Sequence, residues 1–533
     1  PEPHPLCDQL AYLAPSDDKK HEAYLALLAA WAESPYSHPL VRAVLTYVRS
    51  GTILSDLERE RIIVRNADGS LGSGKLAGTD YAKCLVRWRM IPAPDEEKSE
   101  SYRNPALFEK WASFYNDLRV GQPHGICQIS GEEDVLCQSH PKGTLSSAYG
   151  AKLISANDSA NFTYRGRFAT PEAAASVGYT ASRMAHSALR WLATNHGKQS
   201  GDRIFLCWNP EGKETPGNLL YAFDAGEDKR DFVSYREELR KTLDGYGNKL
   251  RQQDDVVIAA LEAATTGRLS VTYYTEMKSA DLLDRIEHWY DTCAWDGGKF
   301  NVPTPSFREI ILCAFGKPSG NGLSLDKRDA KLAGKYFQKL LSCLTEGRSI
   351  PPDLVRALAA RADTPQAYEA GPLARIRHTA CALIRKYRND QAKREEWKVT
   401  LDTENRDRSY LFGRLLAVLE QAEAATYGKE DRRETNALRR LTRYTQQPMH
   451  TARALYEKLT PYLNRLMRNK PGLYRQYRAL FDQLFGLLDE LEHPSLNEPL
   501  EDVYLLGYSS QRSALFTKQE QNETNTDGGN TDE

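Results

Sequence analysis

The sequence predicts an α+β protein, with an N-terminal α+β domain carrying a β-rich insert and a C-terminal helical bundle. Three observations lead there. Apolar residues recur at helical spacing in Pro1–Leu57 and again throughout the chain after Pro351. Short β-prone runs lie between these regions, at Cys84–Met90 and Ile204–Trp208. Between those runs, Gly125–Phe168 is broken by turn dipeptides at Ser130-Gly131 and Lys142-Gly143. The expected division is 1–233 for the α+β domain, 234–395 for a mostly helical middle region, 396–518 for the bundle and 519–533 for a disordered acidic tail.

Each element has a local reason. Tyr24, Leu27, Leu28 and Trp31 share a helix face, as do Val41, Val44, Leu45 and Val48. Asn66–Gly78 is a glycine-rich loop. Cys84–Met90 reads as a strand with Leu85, Arg87 and Arg89 on one face, and Asn104–Tyr115 as a short helix. After the insert, Thr170 can cap a helix whose first turn holds Pro171 and which ends at Gly197. Its inward face would be Val177, Ala181, Met184, Ala188 and Leu192. From Ser234 helix dominates, with Asp254-Asp255 in a polar helix start and Leu269–Tyr274 as a strand. Lys317–Gly322 is a Gly/Pro-rich interruption.

In the bundle, one stripe is Leu411, Leu415, Val418 and Ala422, and a second is Leu455, Leu459, Leu463 and Leu466. Leu473, Tyr477, Leu480, Leu484 and Leu491 form a third. Turns at Gln446–Pro448 and Lys470–Gly472 suit antiparallel neighbours. Arg406, Arg414, Arg439, Arg440, Arg443, Arg453, Lys458, Arg465 and Arg468 are expected on the opposite faces.

Composition excludes several classes. With 41% hydrophobic and 27% charged residues and a mean hydropathy of -0.60, the chain is globular. No window approaches the ~18 consecutive apolar residues of a membrane helix, and no signal-peptide pattern is present. Nine irregularly spaced cysteines suit reduced thiols in a cytosol. The net charge of -1 conceals segregation: Arg375–Arg478 holds 24 Lys and Arg against 12 Asp and Glu, so this stretch is +12 and the remainder -13. Such a basic segment points to a polyanion partner, or to an Arg-rich solvated helical surface.

Gly150–Phe168, GAKLISANDSANFTYRGRF, is the most telling stretch. It combines Lys152, Asn157, Asp158, Asn161, Tyr164, Arg165 and Arg167. Arg and Lys suit phosphates, Asn suits base edges and Tyr suits stacking. The same composition also suits a polar loop with a hairpin turn, and Asn157-Asp158 a turn cap.

Catalytic signatures are incomplete. Gly69, Gly74 and Lys75 fit the start of a phosphate-binding loop, but Leu76 stands where the metal-holding Ser or Thr belongs. Neither the nucleophile-elbow pattern nor the paired-histidine zinc pattern occurs. Cys127, Cys137 and His140 supply three ligand types where a structural zinc needs four. His378, His450 and His493 are isolated, and Asp158 stands without the carboxylate cluster of a two-metal nuclease. The expectation is a binder without metal or cofactor, not an enzyme.

Several motifs, in order along the chain, resemble one family. They are PHPLCDQLAYLA at Pro3–Ala14, His140-Pro141-Lys142, GAKLISAND at Gly150–Asp158, FTYRGRF at Phe162–Phe168 and ALRWL at Ala188–Leu192. YLFGRLLAVLEQAE at Tyr410–Glu423 and LLGYSSQR at Leu505–Arg512 complete the series. Together they resemble the large subunit of the type I-C CRISPR Cascade surveillance complex, of the Dvulg subtype. Ser509-Ser510 replace the family's Tyr-His.

The resemblance implies a non-catalytic subunit of a prokaryotic, cytoplasmic antiviral defence complex. Such a subunit reads the protospacer-adjacent motif on double-stranded DNA, helps R-loop formation, holds the displaced strand and recruits the helicase-nuclease. Its partners would be the guide RNA, the backbone, guide-processing and small subunits, and target DNA, with no membrane. Lys142, Lys152, Arg165, Arg167 and Lys75 are the expected contacts to phosphates or base edges, with Asn157 and Asn161 as readers and Tyr164 as a stacker. Arg414, Arg443 and Arg465 would follow the strands along the bundle. The first motif lies within the family pattern, so a preceding segment is expected. The bundle is also expected as a separate internal translation product, with Val399 the best-placed start. The alternatives are a metal-dependent nuclease and a scaffold that binds guide RNA and protein only.

Overall fold

A computed structural model of the chain describes residues 2–15, 18–91, 100–119, 121–156, 168–217, 220, 232–296, 304–326, 329–391, 397–428, 433–491 and 496–527. The fold is α+β. It divides into one unit of Pro1–Gln138 with Ala156–Ser182 and a second of Ser139–Ser155 with Arg183–Glu533.

In the first unit, β1 (Asp8–Gln9) runs into α1 (Leu10–Leu13), followed by α2 (Asp18–Glu33), α3 (Pro39–Arg49) and α4 (Ile53–Arg59). Tyr24, Leu28 and Trp31 of α2 share a core with Val41, Val44, Leu45 and Val48 of α3, as their spacing predicts. His38 caps α3, its Nδ1 accepting the Leu40 N–H at 3.1 Å, and Pro39 fills the first turn, where no N–H is needed. Leu6 sits at φ 60°. Its carbonyl accepts from the Tyr24 hydroxyl at 2.5 Å and from Trp88 Nε1 at 2.9 Å, and these two bonds hold the strained turn.

The glycine-rich loop forms a two-residue hairpin, β2 (Lys75–Leu76) with β3 (Thr79–Asp80). The strand expected over Cys84–Met90 shrinks to β4 (Leu85–Val86), paired antiparallel with β1. α5 (Pro105–Asp117) is capped by Asn104 Oδ1, which accepts the Leu107 N–H at 3.3 Å. The β-rich insert contains one short hairpin, β5 (His124–Ile126) with β6 (Glu133–Val135), and the rest of it that is described is turn and coil.

The helix expected from Thr170 to Gly197 is two helices, α6 (Pro171–Ala174) and α7 (Tyr179–Asn195). Thr170 does cap the first, its Oγ1 accepting the Ala173 N–H at 3.2 Å. The break has a backbone cause. Cys137 N–H donates to the Val177 carbonyl at 2.9 Å and Leu136 pairs with Gly178, so Val177 and Gly178 must be extended. The inward face of α7 is also not the expected one. Ser182 and His186 are buried, Leu189, Leu192 and Ala193 join a small core, and Met184 and Ala188 face outward.

The second unit is built on an antiparallel sheet ordered β10-β9-β8-β7, from β7 (Gly197–Ser200), β8 (Arg203–Trp208), β9 (Asp255–Thr265) and β10 (Arg268–Lys278). α8 (Phe232–Lys249) precedes β9. β9 is not legible in the sequence, because VVIAALEAA is alanine-rich and apolar but for Glu262, and periodicity does not separate a buried strand from a buried helix. Both faces of the sheet are covered. Ile204, Leu206, Leu261 and Leu269 contribute to the small core, and Phe205, Cys207, Val256, Ile258 and Ala260 to the main one.

Helices complete the unit: α9 (Ser279–Thr292), α10 (Phe307–Phe315), α11 (Ala330–Glu346), α12 (Pro352–Ala362) and α13 (Ala370–Gln391). Between α10 and α11 lies the hairpin of β11 (Lys317–Ser319) and β12 (Gly322–Ser324). The bundle follows as α14 (Arg408–Ala424), α15 (Asn436–Arg439), α16 (Leu441–Gln446), α17 (Pro448–Asn469), α18 (Pro471–Asp489) and α19 (Tyr504–Asp527). α19 takes in much of the acidic segment expected to be a disordered tail.

α14 is buried on every side from Ser409 to Glu423. It meets α19 backbone to backbone. A Cβ on Gly413 would collide with the Tyr504 carbonyl oxygen and stand 2.8 Å from the Tyr508 nitrogen; a Cβ on Gly507 would collide with the Tyr410 carbonyl oxygen and stand 3.2 Å from the Arg414 nitrogen. Gly413→Ala or Gly507→Ala must therefore push α14 and α19 away from each other, and thermal unfolding should show a loss of at least about 2–3 kcal/mol. Gly486→Ala, inside the last turn of α18 and facing open space, should instead gain about 0.5–1 kcal/mol.

Candidate nucleic-acid interface

The segment Ser139–Ser155 is pinned to the β9–β10 turn. Lys152 N–H donates to the Gly267 carbonyl at 3.1 Å, and Leu269 N–H donates to the Lys152 carbonyl at 2.9 Å. Lys142 pairs with Lys152 in an antiparallel bridge, and Lys152 with Arg268 in a parallel one. Leu145 and Ala151 anchor the segment from below in the small core. Gly143 has φ +88°, and its lost side chain admits the Tyr149 ring, to which a Cβ would come within 2.9 Å.

Three cations thus occupy neighbouring register positions. Like charges in register destabilise a pair, and an anion laid over them removes that cost. Lys152 Nζ donates to Ser139 Oγ at 2.9 Å, and exposed Lys142 has its Nζ 5.7 Å from the Tyr149 ring centroid. His140 is buried beneath, its ring centroid 6.1 Å from that of His186. Burial, then His186 and Lys152, push the His140 pKa down to about 4, so the ring is neutral. The sequence brought Lys142 and Lys152 forward but not Arg268 or Tyr149. Arg268 read only as the start of a strand, and no local pattern tells that this turn receives the distant segment.

The other expected contacts are dispersed. Asn157, Asn161, Tyr164, Arg165 and Arg167 lie outside the described residues. Lys75 is exposed on its hairpin, and Arg443 and Arg465 are exposed on α16 and α17. Arg414 corrects the expectation. It is 1% exposed, inside the bundle rather than on its outer face, because α14 is surrounded by other helices. Its Nε donates to Gln511 Oε1 at 3.0 Å, and burial pulls its pKa below the usual arginine value.

Around Arg443 and Arg465, the surface of α15–α18 exposes Arg439, Arg453, Lys458, Arg468 and Arg475 as well. None of these seven cations has an acidic partner among the described residues. Exposed helical cations without acidic partners, here interspersed with the exposed Glu457, are suited to a phosphate backbone.

Cys127 and Cys137 are buried free thiols. The Ser130 side chain, with backbone N–H donors, pulls the Cys127 pKa down to about 7 against the opposing effect of burial. Among the described residues, no three His, Cys, Asp or Glu side chains are grouped so as to hold a metal, and no helix is long and apolar enough to cross a membrane.

A family model described as CRISPR-associated protein (Cas_Csd1) matches residues 1–516. The chain belongs to that CRISPR-associated family. No curated protein matches it.

The buried histidine gives a pH signature. With a folded pKa near 4 and an unfolded value near 6.5, the unfolded chain binds the extra proton between these limits. The His140 contribution to stability is therefore fully present above about pH 6.5 and is lost as pH falls toward 4. The stability of wild type relative to His140→Gln, followed by thermal melts at steps from pH 7 to pH 4, should fall across this range. A difference that stays flat would place a charged ring in the native loop.

Proposed function

We propose that this CRISPR-associated chain is the large, non-catalytic subunit of a type I-C RNA-guided interference complex. In this reading it recognises the protospacer-adjacent motif on duplex DNA, assists R-loop formation, holds the displaced strand and recruits the helicase-nuclease. The observation that carries the reading is the set of exposed cations on α15–α18 that lack acidic partners among the described residues, on a member of this family. Its chemistry is that of backbone binding: cations release counterions from a strand without reading its sequence.

The Lys142–Lys152 bridge supports a second contact of a different kind. It is a pinned loop, anchored by backbone bonds and a core, with cations at fixed register and a tyrosine beside them. Rigid cations of this sort position a duplex, and segment 157–167, with its Asn, Tyr and Arg side chains, follows it in the chain and supplies the base-reading chemistry. In RNA-guided complexes the long target is read by guide pairing, so the protein needs only a short motif and the backbone.

The assembled complex tests both contacts. Arg443→Glu/Arg465→Glu should weaken binding to every target with an exposed single strand alike, and flatten the slope of log affinity against log salt by at least one. Lys142→Ala/Lys152→Ala and Arg165→Glu/Arg167→Glu should weaken binding chiefly to duplex that carries the motif. With magnesium or manganese the chain alone should leave DNA intact; cleavage would install the nuclease reading. Unchanged DNA affinity in all three double variants would leave a scaffold of guide RNA and protein.

A further inference from the structure

α7 exposes an aromatic surface that the contacts above do not use. Trp191 is 58% exposed and Met184 69%, while all seven other tryptophans are buried or partly buried. The opposite face of the helix already supplies Leu189, Leu192 and Ala193 to the small core, so core packing does not require Trp191. A large indole left in water on a well-anchored helix is a binding surface in waiting. Its charge surroundings select the ligand. From Tyr179 to Ser200 there is no acidic residue, and Arg190 and Lys198 are exposed without a side-chain partner among the described residues. His196 sits against the indole, ring centroids 5.0 Å apart, and Lys198 follows two residues later in β7. A flat aromatic surface on a segment that carries exposed cations and no carboxylate of its own matches unpaired nucleobases on a phosphodiester backbone.

We propose that Trp191 is a stacking platform for an unpaired base of single-stranded nucleic acid, with Arg190 and Lys198 holding the adjoining phosphates. This rests on the nucleic-acid reading of the chain but uses residues other than the exposed cations of α15–α18. The same small core carries the Lys142–Lys152 loop on one side and α7 on the other, so the two contacts are fixed relative to each other.

The test uses the full chain with oligo-dT and oligo-rU as separate probes, and checks folding of each variant by circular dichroism. The emission difference between wild type and Trp191→Phe isolates Trp191, and it should be quenched on addition of the probe. Trp191→Ala should lower affinity roughly tenfold, Trp191→Phe should restore most of it, and Arg190→Ala should flatten the salt dependence. Whichever probe binds more tightly identifies the displaced DNA strand or the guide as the source. Unquenched Trp191 emission with a saturating probe, or Trp191→Ala affinity equal to wild type, would overturn the proposal and leave this face to a protein partner. If Arg443→Glu/Arg465→Glu still weakens binding in that case, the functional reading stands without it. If neither variant matters, both fall.

Discussion

The second unit is organised by the contact of α14 and α19 at Gly413 and Gly507. Helix axes usually lie 8–10 Å apart, with side chains between them. Here carbonyl oxygens of each helix occupy the space where the partner's Cβ would be, at both glycines. The approach brings polar side chains into register across the seam. The Tyr410 hydroxyl meets Ser510 Oγ at 3.1 Å, Arg414 meets Gln511, and the Tyr508 hydroxyl donates to Glu420 at 2.6 Å. Burying polar groups is costly without partners, and the close approach provides one for each of these side chains, although Arg414 Nη1 stays unpaired among the described residues.

That seam explains two sequence motifs at once. YLFGRLLAVLEQAE and LLGYSSQR are nearly 100 residues apart in the chain, yet each supplies one glycine and half of each polar pair. Ser509 and Ser510 also find a structural place. Ser509 Oγ accepts the Trp295 Nε1 proton at 2.9 Å, and Ser510 bonds both Tyr410 and the Leu506 carbonyl. These residues hold the fold, which is why reading Arg414 as a strand contact failed. The burial of α14 gives this motif a packing role. The exposed cations lie instead on α15–α18, in helices that bury one stripe and leave the other to water.

Legibility followed the number of physical constraints acting on each residue. α2, α3 and α17 were readable because one apolar stripe per helix met one core, and the strand Ile204–Trp208 because its run is short and β-prone. The α7 stripe was misread because two faces carry apolar residues, and periodicity alone does not say which meets the core. Met184 and Trp191 belong to the outer one, while a histidine, His186, is buried on the inner. β9 was missed since alanine-rich apolar runs serve helix and strand alike until neighbouring strands are known. In the candidate site, residue type was enough to nominate Lys142 and Lys152. The bridge to Arg268, which pins Lys152 in place, depends on hydrogen bonds over more than a hundred residues of chain.

The same logic separates the two kinds of cation in this molecule. Arg203, Arg375 and Arg388 are held by Glu262, Glu309 and Asp502, so their charge is neutralised within the fold. Arg443, Arg453 and Arg465 have no such partner among the described residues, and unneutralised like charges raise the free energy of the isolated chain. Binding a polyanion lowers it, and does so cooperatively, since each phosphate relieves repulsion among several cations. An overall charge of -1 is therefore compatible with strong strand binding: the acids that balance the sum lie elsewhere along the chain, and at physiological salt charges more than ~8 Å apart hardly act on one another.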